Sequence, residues 1–127
     1  MNVDLKVTQG LVDADAKTAQ VLSVMLALIY LVVGFAQIAG VAGVAESFAQ
    51  WGYPSWFRIV IGVLELGGGA LLLLPKVSPL AAVGLIVLMV GAAYTHVVSG
   101  QYPMIVLNLV LIVLLGWLGW LRRPAMN

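Results

Sequence analysis

The chain contains no cysteine. That excludes a disulfide framework, thiol–disulfide chemistry and thiolate ligation of zinc or an iron–sulfur cluster. Charge is nearly as scarce. Only 9% of the 127 residues are Asp, Glu, Lys or Arg, where a soluble domain carries roughly 25%. Six basic and five acidic residues leave a formal net charge of +1, with no basic run to follow a nucleic-acid backbone. His96 is the one histidine and Glu65 the one carboxylate inside the long apolar segments. Two strong ligands are too few for a metal site. The N-terminal stretch MNVDLKVTQGLVDADAKTAQ is polar and mixed in charge, unlike a signal peptide.

What the chain has in excess is apolar length: 63% of its residues are hydrophobic. Residues 1 to 17 read as a short cytoplasmic arm, with Asp15 as helix N-cap before Ala16 and Lys17. Four stretches then suit transmembrane helices, at about 18–40, 57–74, 80–98 and 104–121. Residues 41 to 56 are too polar and aromatic to span. They read as an interfacial segment between the first two helices, with Gly52 and Pro54 turning the chain back. Pro79 suits the first turn of the third helix. The expected fold is therefore all-α: a polytopic membrane protein built as a four-transmembrane-helix bundle, one domain over residues 1–127. Four crossings put both termini and the 75–79 loop on one side, with Lys6, Lys17, Lys76, Arg122 and Arg123. Arg58 alone lies on the other. Basic residues gather on the cytoplasmic side, so the expected site is the cytoplasmic membrane with both termini inside.

Glu65 organises the functional reading. A carboxylate in the middle of an apolar helix costs a few kcal/mol to insert and normally faces a bundle interior or a wet cavity. Helical spacing puts Arg58, Gly62, Glu65 and Gly69 on one stripe, where small residues admit close approach. Tyr30, Gly34 and Gln37 share a face of the first helix. Gly84, Gly91 and Thr95 form a small-residue stripe on the third. Counted by depth, Gln37, Arg58, Glu65, His96 and Asn108 fall in the outer half, and the inner half reads as Leu, Val and Ile. Two interpretations follow. The polar groups line a ligand pocket, with Glu65 and His96 handling protons and Gln37, Arg58, Tyr94 and Asn108 binding the ligand. Alternatively they satisfy one another and hold the bundle in register.

The order of motifs resembles the DoxX-like family of small four-helix membrane proteins. It runs from Gly34 and Gln37 through Trp51-Gly52-Tyr53-Pro54 to Gly62-Val63-Leu64-Glu65-Leu66-Gly67-Gly68. Leu-Leu-Leu-Pro75, Met89-Val90-Gly91-Ala92 and Thr95-His96 follow. The resemblance covers roughly residues 20 to 121, with Gln37 standing where the family often has Lys. It implies a membrane subunit of an oxidoreductase system that binds a quinone or similar lipophile. No covalently bound cofactor is expected. The implied partners are the bilayer, a lipophilic small molecule, a soluble or membrane redox subunit, and further copies of the chain. A scaffold or assembly factor, and a small transporter or enzyme for a lipophilic metabolite, are the alternatives.

Overall fold

The computed structural model describes residues 2–123; Met1 and residues 124–127, the ends of the expected domain, lie outside the described residues. Five helices follow in order: α1 (Asn2–Ala39), α2 (Val44–Gln50), α3 (Ser55–Leu71), α4 (Ser78–Val98) and α5 (Tyr102–Arg122). No strand occurs among the described residues.

Helix α1 corrects the expected N-terminal boundary. It runs unbroken for 38 residues, roughly 57 Å at the usual rise, so residues 2–17 are helical and Asp15 is no N-cap. The reason is local. No proline lies between Asn2 and Ala39, and the polar side chains bond within the helix. Thr8 Oγ1 donates to Asp4 O over 2.8 Å, and Gln9 Nε2 to Asp13 Oδ1 over 3.0 Å. The helix stops at Gly40, whose φ of 66° is the left-handed conformation that glycine adopts without a Cβ penalty. The interfacial segment is the short helix α2, where the Glu46 carboxylate accepts a 2.6 Å hydrogen bond from Gly43 N–H. Gly52, at φ 86°, and Pro54 then turn the chain into α3.

Three helices are long and apolar enough to cross a membrane: α1, α4 and α5. Helix α3 ends at Leu71, three residues before the expected Leu74, and its 17 residues fall short of the ~20 of a typical crossing. Gly67, Gly68 and Gly69 are poor helix formers, and Pro75 disfavours helical geometry at Leu74. Residues 72–77 therefore form successive turns.

Helix α1 packs most extensively on α3 and α4 on α5, and the two pairs meet along α1–α5 and α3–α4. The shared core joins Leu22 and Leu26 of α1 to Leu72, Leu85 and Met89, and to Leu111, Leu115 and Leu118 of α5. The exterior is also apolar: Val63 and Leu64, Val83 and Val87, and Val106 and Val113 all point outward. Such a surface suits lipid rather than water.

The α1–α3 contact is backbone against backbone. A Cβ on Gly34 would sit 2.7 Å from Leu66 N and 2.8 Å from Gly62 O. A Cβ on Gly62 would sit 2.9 Å from Gly34 O, and one on Gly69 2.8 Å from Tyr30 Cβ. The expected close approach at Gly62 and Gly69 is thus present. The expected stripe on the third helix holds only at Thr95, which is buried: Gly84 and Gly91 meet nothing within 4 Å and face outward. Helix α4 turns its large side chains, Leu85 and Met89, to the core instead.

These contacts predict opposite outcomes for one kind of substitution. Gly34→Ala and Gly62→Ala should each destabilise by about 1–3 kcal/mol, because backbone atoms cannot yield to the new methyl. Gly91→Ala should be neutral or slightly stabilising, as alanine is the better helix former. Thermal unfolding in detergent distinguishes them. Equal losses at all three would contradict the packing.

Candidate functional site

Helix α3 buries a narrow stripe of three residues, Gly62, Glu65 and Gly69. The two glycines draw α1 so close that the side chain between them is enclosed. Glu65 is 3% exposed. Gln37 Cβ lies against Gly62 and Tyr30 Cβ against Gly69, so these two side chains of α1 flank Glu65 along α3. Tyr30 itself is 1% exposed. Three polar atoms in this group have no hydrogen-bond partner within the chain: Glu65 Oε2, Tyr30 Oη and Gln37 Oε1. Buried polar atoms are nearly always paired, and a missing pair costs about 1–3 kcal/mol. Among the described residues these three orphans, on neighbouring side chains of α1 and α3, form a cluster of unmet hydrogen-bonding capacity.

His96 lies elsewhere. Its ring is 2.7 Å from Asn108 Nδ2 through Nδ1. An amide nitrogen only donates, so Nδ1 accepts and the ring proton sits on Nε2. Trp51 packs edge-on against the imidazole at 5.5 Å between ring centres. Next to it, Tyr53 Oη and Thr95 Oγ1 share a 2.8 Å hydrogen bond. This second cluster ties the turn after α2 to α4 and α5, and no hydrogen bond joins it to Glu65. Two buried atoms beside it are unpaired, Trp51 Nε1 and Gln101 Oε1.

The remaining expected residues take other places. Arg58 is drawn to the end of α1, where Nη1 donates to the Gln37 and Ile38 carbonyls. That caps the helix and also fixes the backbone that carries Gln37. Tyr94 is 70% exposed on the outer face of α4, away from both clusters. Among the described residues, no three His, Asp or Glu side chains come together in a way that could hold a metal.

The profile of the DoxX-like family matches residues 21–118. The chain belongs to the DoxX-like family. A protein of Bacillus subtilis (strain 168) described as uncharacterized protein YdgD is 30% identical over 88 residues, 66% of this chain and 77% of that one. No solved structure matches. The DoxX-like match includes both polar clusters and stops before Arg122.

A third polar group, at the opposite end of the bundle, was not legible from depth counting. Arg122 Nη1 donates to Leu72 O over 2.8 Å and to Ser78 Oγ over 3.4 Å, and Nη2 to Ser23 Oγ over 3.2 Å. Ser23 and Ser78 are buried, so the inner half is not wholly aliphatic. Tyr30, by contrast, carried a signal: it shares a helical face with Gly34 and Gln37, four and seven residues on.

The His96–Asn108 bond predicts a measurable coupling. In a double-mutant cycle with His96→Phe and Asn108→Leu, the pair should couple by ~0.6–1.7 kcal/mol, the range of interhelical hydrogen bonds in membranes. Unfolding free energies in detergent or bicelles give the value. Strict additivity would show that the bond does not hold α4 to α5.

Proposed function

We propose that this DoxX-like membrane protein binds a lipophilic small molecule of quinone or quinol type between α1 and α3, with Glu65 as its central contact. One observation carries the reading: Glu65 Oε2, Tyr30 Oη and Gln37 Oε1 are buried at one place without partners in the chain. Their chemistry narrows the ligand. The unpaired Gln37 oxygen can only accept, as can a carboxylate oxygen. A ligand hydroxyl satisfies them, so the site favours a hydroxyl-bearing lipophile over one with carbonyls alone. A protonated Glu65 would instead donate to a carbonyl, which lets one carboxyl serve both forms of such a molecule. The role fits the membrane subunit of an oxidoreductase system whose electron carrier belongs to a partner.

In this reading α3 crosses the membrane as the fourth span, its 17 residues extended by the turns at 72–77. Both termini then share the side with most of the basic residues, and the cytoplasmic membrane is the assigned place. The His96 group supports a structural role better than a proton relay. His96 is bonded to Asn108 and Tyr53 to Thr95, which ties the turn after α2 to α4 and α4 to α5, as the scaffold interpretation requires, while the Glu65 carboxyl keeps an open oxygen.

Two measurements test the proposal. Glu65→Gln keeps the shape of the side chain and removes the ionisable group, so it should abolish ligand binding while leaving the melting temperature within a few degrees of the parent. The probe is a water-soluble ubiquinol analogue titrated into the purified protein. Retained binding, or loss of binding together with loss of fold, would overturn the assignment. For the topology, a reporter fused after Asn127 should read as cytoplasmic and one inserted near Gly100 as external. A periplasmic signal from the C-terminal fusion would invert the arrangement.

A further inference from the structure

At the end of the bundle where α1 begins and α5 finishes, an open groove of about 710 Å3 lies between α1 and the turns after α3. Its apolar side is made by Val24, Leu73 and Leu121, and its polar side includes Asp15, Ser23 and Arg122. Among the described residues, all of Arg122's partners are neutral: one carbonyl and two hydroxyls. They fix the guanidinium by two nitrogens and leave its charge without a carboxylate contact. These bonds use both Nη1 protons and one of Nη2, and the remaining Nε–H and Nη2–H form a planar edge suited to bidentate binding of a phosphate. Ser23 and Ser78, both buried, hold the fork in position through their hydroxyl oxygens.

Asp15 makes the site selective. A carboxylate in the wall of the same groove repels a simple anion and attracts a cation. Asp15 and Ser23 are eight residues apart on α1, roughly 12 Å along the axis. A hydrogen bond from Arg122 to the phosphate, the extended ethanolamine arm and a hydrogen bond from its ammonium to Asp15 together bridge a gap of about that length. The apolar wall continues from the polar end into the bundle surface, where an acyl chain lies against Val24 and Leu73. Helix α1 is unbroken through this region, so Asp15 is carried on the same rigid element as Ser23.

We infer that the groove between α1, the turns after α3 and the end of α5 binds a phospholipid with a phosphoethanolamine headgroup, phosphate on Arg122 and ammonium on Asp15. The inference rests on the membrane reading and is independent of the Glu65 site, so Glu65→Gln should leave it untouched. An anionic glycerol headgroup lacks the ammonium and meets Asp15 unfavourably. A choline headgroup has the charge but no N–H to donate.

Delipidated protein in detergent is titrated separately with short-chain phosphatidylethanolamine, phosphatidylglycerol, phosphatidylcholine and inorganic phosphate, following the melting temperature and bound lipid by native mass spectrometry. Phosphatidylethanolamine should raise the melting temperature most and be retained most strongly. Asp15→Asn, at an exposed position outside the core, should erase the preference over phosphatidylglycerol without lowering the basal melting temperature. Arg122→Lys should weaken retention of both lipids, because the ammonium of lysine has no fork. If that variant fails to fold, the Asp15→Asn comparison still decides. Equal retention of ethanolamine and choline lipids would overturn the inference, as would an unchanged preference in Asp15→Asn. Protection by inorganic phosphate equal to that by lipid would replace the lipid with a soluble anion and also overturn it.

Discussion

Everything distinctive in this structure depends on the backbone contact between α1 and α3. Gly34 and Gly62 bring the two helices so near that neither position has room for a methyl group. Close approach of this kind is a main source of helix association in lipid, where burying apolar side chains gains little. It also has a chemical consequence. A carboxylate placed one turn from the contact cannot swing out to lipid or water, so Glu65 is enclosed by the same geometry that holds the helices together.

The consequence for α3 is unusual. Its buried stripe is two glycines and an acid, so it contributes almost no aliphatic surface to the core until Leu72, just beyond its end. Arginines tie it at both ends. Arg58, in its second turn, reaches the carbonyls of Gln37 and Ile38, and Arg122 of α5 holds the carbonyl of Leu72. The first tie also places Gln37, which flanks Glu65. Cap, tether and positioning of the polar group are one interaction.

Much of this was legible in the residues. The stripe from Arg58 through Gly62 and Glu65 to Gly69 follows from helical spacing, as does the face shared by Tyr30, Gly34 and Gln37. The turn at Gly52 and Pro54 follows from their backbone preferences. The failures have equally plain causes. Depth counting groups His96 with Glu65 but cannot say which residues bond, and His96 pairs with Asn108 with no hydrogen bond to Glu65. Periodicity finds a small-residue face on α4 but cannot say that this face turns outward, since Leu85 and Met89 on another face compete for the core. Arg122 reads as the charge that ends a span, because nothing in a run of Leu and Trp reveals that Ser23, about a hundred residues earlier, waits for its guanidinium. Long-range partners of that kind leave no local pattern.

The contrast between the two deep polar groups bears on function more than either does alone. Both are buried in the same bundle and both carry an ionisable residue. In one, the ionisable residue is paired within the chain, His96 with Asn108, beside Tyr53 with Thr95, while Trp51 Nε1 and Gln101 Oε1 next to them stay open. In the other, three atoms remain open at one place. The difference lies at the ionisable residue itself: His96 is paired to Asn108, and the Glu65 carboxyl keeps an unpaired buried oxygen. The glycine contact that encloses Glu65 is what holds that oxygen in place.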